Sequence, residues 1–221
     1  MKIGVDCPSL DDLLDGGIET GCITLLFGEA GSGKTNLCLQ VARNVVRSGR
    51  KVVYIDTEGV SLDRLRQICG GDFEAVIKDI LFSEVYTLEE QEEYVGKAVR
   101  LAEMNKEVGL IILDSATTHY RMTKVEEERE ERHSLTRQIT NLMQAARKRD
   151  IPVLVTSQVY TDLDRGIFEP LGGHMLSHNA KDIVRLGKAG LNLRLATIVK
   201  HRHLQEGLAT KFRLTDRGLE S

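Results

Sequence analysis

The sequence predicts an α/β protein with a mostly parallel central sheet that is flanked by helices. Short, nearly continuous apolar runs alternate with amphipathic segments of helical period, which is typical of strands that are buried between helices. A glycine-rich motif follows the first apolar run, and acidic or amide residues end three later ones. The 221 residues suffice for a full core, so we expect a single domain over residues 1–221.

The elements follow one another in a regular order. Apolar runs predict strands at 23–27, 51–56, 79–83, 109–114 and 152–157. Amphipathic periodicity predicts helices at 34–48, 61–69, 87–105 and 133–149. Beyond residue 157 the pattern changes to consecutive strand-like runs at 183–187, 193–200 and 209–214. We therefore expect an antiparallel C-terminal extension of the sheet.

The first strand leads into the motif Gly-x-x-x-x-Gly-Lys-Thr, which binds the phosphates of nucleoside triphosphates. Its glycines let successive backbone N–H groups point at one anion, and the following helix adds its positive N-terminal end. Lys34 is expected to reach the β- and γ-phosphates of ATP, and the Thr35 hydroxyl to ligate Mg²⁺. A chance glycine-rich turn is the alternative. The predicted ATP contacts are Gly28, Glu29, Ala30, Gly31, Ser32, Gly33, Lys34, Thr35 and Asn36.

Three later strands end in polar residues at what should be the ligand-binding edge of a parallel sheet. Asp114 ends GLIILD, where a carboxylate can hold Mg²⁺ through water or cap a turn. Glu58 follows KVVYID and can polarise a water for attack on the γ-phosphate, or be a surface turn residue. Gln158 follows PVLVTS and can sense the γ-phosphate through its amide, or be a simple turn amide.

With these motifs in place, the sequence resembles the ATPase core of the RecA/RadA recombinases, and especially their short archaeal paralogues. The matching stretches are GIETGCITLLFGEAGSGKTNLCLQVA, VVYIDTEG, LIILDSATTHYR, VTSQV and PLGGHMLSHNAKDIVRL. The resemblance implies a RecA-type P-loop ATPase core that uses ATP and Mg²⁺. It implies that Glu58 is the catalytic glutamate, Asp114 the Walker B aspartate and Gln158 the phosphate sensor. It also places Arg64 where the family stacks an arginine on adenine.

The departures from the family pattern concern DNA binding and assembly. The matching core starts at about residue 3, so we expect the N-terminal DNA-binding domain and the Phe-x-x-Ala polymerisation tether to be absent. Five glutamates between Glu126 and Glu131 lie in the region of the first DNA loop, where they would repel a phosphate backbone. The segment from Gln158 to Gly172 is shorter than the second DNA loop. These features argue against an efficient strand-exchange filament.

Positive charge is concentrated near the C-terminus. The net charge is −3, but residues 181–221 carry nine Lys/Arg against four Asp/Glu. Such a segment can face nucleic acid, the phosphates of a bound nucleotide, or solvent. We expect single- or double-stranded DNA to bind there with little sequence preference, together with a loop around Arg165. Phe168 can stack on a base or pack onto the core.

The stretch Lys200-His201-Arg202-His203 ends a predicted strand. Strand alternation puts the two basic residues on one side and the histidines on the other, which makes a His-x-His metal site the lesser alternative. The spacing resembles the Lys-x-Lys of bacterial RecA, which reaches the γ-phosphate of the adjacent subunit. Lys200 and Arg202 are therefore predicted to bind the ATP of a neighbouring chain upon self-association. A DNA-facing basic patch is the alternative.

The remaining features concern the cellular compartment of the protein. The four cysteines form no Cys-x-x-Cys pair, which predicts reduced packing residues in a cytoplasmic protein. The sequence has no apolar run of membrane-spanning length, so we expect no membrane association.

The resemblance implies an ATP-binding accessory protein of DNA repair and homologous recombination. Such a protein would bind DNA, modulate a RadA-type recombinase and hydrolyse ATP weakly. A regulatory RecA-like ATPase without DNA contact is the alternative. A small-molecule kinase or GTPase is disfavoured, because Asn105-Lys106 is not followed by the aspartate of a guanine-reading motif.

Overall fold

A computed structural model of the protein describes residues 1–120, 125–162 and 167–221. Its strands are β1 (Lys2–Ile3), β2 (Ile18–Glu19), β3 (Ile23–Phe27), β4 (Lys51–Asp56), β5 (Ile80–Glu84), β6 (Val108–Asp114), β7 (Val153–Ser157), β8 (Val159–Asp162), β9 (Ile167–Pro170), β10 (Asp182–Lys188), β11 (Leu193–Lys200), β12 (Ala209–Thr215) and β13 (Gly218–Glu220). Its α-helices are α1 (Pro8–Leu13), α2 (Lys34–Arg47), α3 (Leu62–Cys69), α4 (Phe73–Val76), α5 (Leu88–Met104), α6 (Val125–Arg149) and α7 (Gly173–Asn179).

The central sheet confirms the predicted fold class. Its strands lie in the order β13-β12-β11-β10-β3-β7-β6-β4-β5. The strands from β10 to β5 are parallel, whereas β11, β12 and β13 extend the sheet in antiparallel fashion. Because β3, β4, β6 and β7 run parallel, their carboxyl ends meet at one edge, which we call the phosphate edge because the glycine-rich loop lies there.

Side chains of the central strands alternate between two cores. Along β6, Leu110 and Ile112 join a core with helices α1 to α4, while Ile111 and Leu113 join a second core with α5, α6 and α7. Every residue of β3, β6 and β7 is buried. The helices thus cover both faces of the sheet, which explains the continuous apolar runs in the sequence.

Side-chain caps account for two of the helix starts. The Ser61 hydroxyl accepts a hydrogen bond of 3.2 Å from the backbone N–H of Arg64 at the start of α3. At the start of α5, Thr87 caps the N–H of Glu90 at 3.1 Å, and the Glu90 carboxylate accepts from the N–H of Tyr86 at 2.8 Å. These bonds fix the direction in which the chain enters each helix.

The structure also corrects parts of the sequence-based prediction. Helix α6 begins at Val125 and not at residue 133. The sequence did not predict this start, because the first turns consist mostly of Glu and Arg and lack an apolar stripe. The β8–β9 hairpin and the strands β1, β2 and β13 are too short to produce a periodic signal. Strand β11 ends at Lys200, so His201 and His203 lie beyond it.

Within the described ranges, no helix has the length and apolar character that crossing a bilayer requires.

Candidate functional site

The glycine-rich loop is held tightly against the sheet at the phosphate edge. A Cβ atom on Gly28 would lie 2.0 Å from the carbonyl oxygen of Leu186 in β10, so only glycine fits there. Gly33 has a φ of 104° and caps helix α2, which begins at Lys34. The Ser32 hydroxyl is buried and has no hydrogen-bond partner among the described residues. The loop thus offers a helix N-terminus and an unpaired hydroxyl to an anion.

Lys34 lies within this loop and is only 6% exposed. Its Nζ donates to the carbonyl oxygens of Gly28 at 2.8 Å and Glu29 at 3.2 Å. Burial lowers the pKa of Lys34, while the nearby carboxylates of Glu58 and Asp114 act in the opposite direction. The ammonium group therefore lies against the loop and near the acidic strand ends.

Asp114 ends β6 and is 1% exposed. Tyr54 donates to its Oδ2 at 2.7 Å and Thr156 to its Oδ1 at 2.5 Å. Burial raises the pKa of Asp114, and hydrogen bonds from Thr156, Tyr54 and Thr35 oppose that rise. The structure thus brings together Thr35 and Asp114, the two predicted Mg²⁺ residues. Their hydroxyl and carboxylate are the oxygen donors that Mg²⁺ prefers.

Glu58 lies in a turn that its neighbour Asp56 holds in place. The Asp56 carboxylate accepts from the backbone N–H groups of Glu58 at 3.0 Å, Gly59 at 2.9 Å and Val60 at 2.5 Å. The exposed Glu58 side chain accepts from the Gln158 amide at 2.9 Å, and this bond ends on Oε1. The predicted catalytic glutamate and phosphate sensor are therefore in direct contact.

A chain of hydroxyl groups that sequence reasoning missed links the same strand ends. The Thr57 hydroxyl contacts the Thr118 hydroxyl at 2.9 Å, and Thr118 donates to Glu58 Oε1 at 3.3 Å. On the other side, the backbone N–H of Gln158 donates to the Thr117 hydroxyl at 3.2 Å. The stretch SATT after Asp114 contains Thr117 and Thr118, but only the sheet order shows that they lie between Glu58 and Gln158.

Arg64 lies beside a cleft of about 480 Å³ that also includes Asn36. Its guanidinium donates to Asn36 Oδ1, to the carbonyl oxygen of Thr215 at 2.7 Å and to that of Asp216 at 3.3 Å. The turn between β12 and β13 therefore fixes the arginine next to the glycine-rich loop. Sequence reasoning did not identify Thr215 and Asp216, because they lie 151 and 152 residues from Arg64 along the chain.

Two cations from the C-terminal strands also contact the loop. Arg194 Nε donates to the carbonyl oxygen of Gly31 at 2.8 Å, and Lys188 Nζ lies 3.7 Å from Glu29 Oε2. The charge count of residues 181–221 allowed for a basic segment that faces a bound nucleotide. It did not single out these two residues, since the antiparallel pairing of β10 and β11 decides which basic side chains reach the loop.

Lys200 and Arg202 lie at the opposite edge of the sheet, since β11 starts near the loop with Arg194 and runs away from it. Lys200 Nζ donates to the carbonyl oxygens of Ser177 at 2.9 Å and Ala180 at 2.8 Å, at the end of α7. Burial lowers the pKa of Lys200. One guanidinium nitrogen of Arg202 lies 3.7 Å from Glu19 Oε2. The two residues are therefore not part of the chain's own phosphate site.

The predicted DNA contacts are only partly described. Arg165 lies outside the described residues. Phe168 belongs to β9, but its side chain is outside the described part. The glutamate run lies in the first turns of α6. On β12, Lys211 and Arg213 are two residues apart and exposed, which places both cations on one face of the sheet.

Known proteins match this chain over nearly its full length. A sequence model of the Rad51 family matches residues 1–221. A protein of Methanococcoides burtonii named "DNA repair and recombination protein RadB" is 44% identical over 215 residues, which cover 96% of this chain and 95% of the relative. A protein of Archaeoglobus fulgidus with the same name is 41% identical, and the match covers 100% of this chain and 98% of that relative.

A solved structure is also similar to nearly the whole of this chain. The structure described as "Crystal structure of the RadB recombinase" matches with a TM-score of 0.82 and 34% sequence identity. The match covers 99% of this chain and 98% of that one.

Proposed function

The chain belongs to the Rad51 family, and from this premise we propose that it is an ATP-binding accessory protein of DNA repair and homologous recombination. It binds DNA, modulates a RadA-type recombinase and hydrolyses ATP slowly. The names of its relatives support the role in repair and recombination. The observation that carries the proposal is the hydrogen bond between Gln158 and Glu58 beside the glycine-rich loop.

The nucleotide site supports the binding of ATP with Mg²⁺. The glycine-rich loop and Lys34 hold the phosphates, and the unpaired Ser32 hydroxyl in that loop fits an anionic ligand. Thr35 and Asp114 would hold Mg²⁺, and the ion would supply positive charge to the phosphates. Arg64 stacks on the base at the cleft beside Asn36. Each of these residues lies at or beside the phosphate edge.

Glu58 acts as the general base for hydrolysis. Its two hydrogen bonds from Gln158 and Thr118 both end on Oε1, so we assign Oε2 to take the proton of the attacking water. The Asp56 carboxylate keeps the turn of Glu58 in place through three backbone N–H groups. Gln158 directly precedes the β8–β9 hairpin, so a contact between its amide and the γ-phosphate would be transmitted both to Glu58 and to that hairpin.

Turnover by a single chain is slow, because a neighbouring chain is needed to complete the site. Lys200 and Arg202 lie at the edge opposite to the chain's own loop, and we assign them to the ATP of a second copy. In this role they neutralise charge in the transition state, as arginine fingers do. A DNA-facing basic patch is the alternative for both residues.

DNA binding rests on backbone phosphates and not on base identity. The exposed Lys211 and Arg213 on β12, together with the residues around Arg165, supply positive charge to the DNA backbone. The alternative function is a regulatory ATPase that does not bind DNA. The glutamate run of α6 favours this alternative, because it repels phosphates.

A titration of labelled single- and double-stranded DNA at several salt concentrations separates the two functions. The proposal predicts binding at low salt that weakens steeply as salt is added. Replacing Lys211 and Arg213 with alanine should make the salt dependence shallower, by about one released counterion for each cation that no longer neutralises a phosphate. Absence of binding to either DNA at low salt would contradict the DNA-binding role and favour the regulatory ATPase.

A further inference from the structure

A cluster of metal-binding side chains lies at the edge of the sheet opposite to the nucleotide site. It joins the end of β2, the residue before β3, the start of β10 and the turn after β11. The proposed nucleotide and DNA functions use none of these side chains. The cluster consists of two overlapping groups that share Glu19, namely Glu19 with His201 and His203, and Glu19 with Cys22 and Asp182.

The separations between the donor atoms suit a shared ion. His203 Nδ1 lies 3.4 Å from Glu19 Oε1, and His201 Nε2 lies 3.6 Å from Asp182 Oδ1. These pairs are too far apart for good hydrogen bonds. Two ligands of one tetrahedral ion with bonds of about 2.0–2.2 Å lie about 3.3–3.6 Å apart, and the separation of 3.4 Å between His203 and Glu19 lies in this range. One donor atom each from Glu19, His201 and His203 lie within 4.8 Å of one another.

The Asp182 carboxylate provides an independent observation. Asp182 is 2% exposed, and its Oδ1 has no hydrogen-bond partner among the described residues. Its Oδ2 accepts from the Cys22 thiol at 3.4 Å, which orients the carboxylate. A buried carboxylate oxygen without a donor is costly, and a bound cation would remove that cost.

Neighbouring cations do not resolve this deficit. Lys2 Nζ and Arg202 Nη1 lie 3.9 and 3.7 Å from the Glu19 carboxylate, so they partly neutralise Glu19 but do not pair with Asp182 Oδ1. His201 Nδ1 faces the backbone N–H groups of His203 and Leu204, both at 3.4 Å. Binding of an ion through His201 Nε2 would move the ring proton to Nδ1 and give up these two long contacts.

We propose that Glu19, His201 and His203 bind one divalent transition-metal ion of the Zn²⁺ class, beside the buried Asp182 carboxylate. Two imidazoles and one carboxylate, with solvent in the fourth position, form a donor set that is typical of such an ion. The ion ties the turn after β11 to β2. Access is through His203, whose side chain is 47% exposed, whereas those of His201 and Asp182 are buried.

The test is a Co²⁺ titration of the untagged, chelator-treated protein without nucleotide, followed by Zn²⁺ competition. The proposal predicts visible absorption bands of tetrahedral Co²⁺ that saturate at one ion per chain and disappear when Zn²⁺ is added. His203→Ala should weaken binding at least about 10-fold. Thermal unfolding of the metal-free variant should match that of the metal-free wild type, since His203 is largely exposed.

His133→Ala is the matched control, because His133 is an exposed histidine on α6, away from the cluster. Glu19→Gln provides a second ligand variant that keeps the size of the side chain. The proposal is overturned if the wild type binds no stoichiometric Co²⁺. It is equally overturned if His203→Ala and Glu19→Gln bind Co²⁺ as tightly as His133→Ala does. Neither result depends on the nucleotide site.

Discussion

The side-chain amide of Gln158 donates a hydrogen bond of 2.9 Å to Oε1 of Glu58, although the two residues are 100 positions apart in the sequence. The contact arises because β4 and β7 both flank β6 and end at the same edge of the sheet. Gln158 directly precedes the β8–β9 hairpin. A change at this hairpin can therefore reach Glu58, the proposed general base.

Gln158→Ala should uncouple hydrolysis from DNA. The substitution removes the amide that links Glu58 to the hairpin, but leaves the phosphate loop intact. We expect nucleotide affinity to stay within a few-fold of the wild type, while the effect of DNA on ATP turnover disappears. Steady-state phosphate release with and without DNA measures this. An unchanged response to DNA in Gln158→Ala would remove Gln158 from the coupling.

Glu58→Gln should bind ATP and lose most hydrolysis. The amide has nearly the same size but cannot accept the proton of water, and loss of a general base costs about 10²- to 10⁴-fold in rate. Equilibrium nucleotide binding and single-turnover phosphate release test the two statements separately. Glu74→Gln, an exposed glutamate of α4, serves as the control. A wild-type rate in Glu58→Gln would mean that the base lies elsewhere or that chemistry is not limiting.

Lys34→Ala should weaken nucleotide binding by at least about 10-fold, because hydrogen bonds to a charged group contribute roughly 1.5–3 kcal/mol. The variant removes the buried ammonium group within the loop. Lys78→Ala changes an exposed lysine far from the loop in sequence and controls for the change in net charge alone. Isothermal titration with ATP and ADP gives both affinities. Near-normal affinity in Lys34→Ala would contradict the assignment of the phosphate loop.

Arg202→Ala and Lys200→Ala should lower ATP turnover without DNA, and wild-type specific activity should rise with protein concentration. Both expectations follow if these residues act on the ATP of a neighbouring chain. Lys200 also binds the carbonyl oxygens at the end of α7, so thermal unfolding must be compared in the same samples. Activity that is independent of protein concentration and unaffected by either substitution excludes this role. A shallower salt dependence of DNA binding would then assign both residues to DNA.

Much of the fold could be predicted from sequence because its signals are local. Strands β3, β4 and β11 occupy the predicted residues, since each is a run of apolar or β-branched residues between turn signals. Helix α6 was predicted too short because its acidic first turns carry no apolar period. The β8–β9 hairpin and the β1–β2 pair gave no signal, because their strands are too short to show a period.

The candidate site likewise contains residues that the sequence identified and partners that it did not. Motifs identified the loop, Asp114, Glu58 and Gln158, because each follows a strand that the sequence reveals. The partners that hold these residues come from sheet order and long-range packing. Thr156 reaches Asp114 over 42 positions, and Arg194 reaches the loop over 163. The histidines after β11 were placed on the wrong kind of element, since the strand ends at Lys200 and a turn brings both ring centroids to 4.7 Å.

The most direct test of the central claim is the rate of Mg²⁺-dependent ATP hydrolysis by the wild-type chain, measured with and without DNA at low salt. We expect slow turnover that requires Glu58 and that changes when single- or double-stranded DNA is added, with the change disappearing as salt is raised. A low-salt rate that stays the same when either form of DNA is added would contradict the account and support a regulatory ATPase.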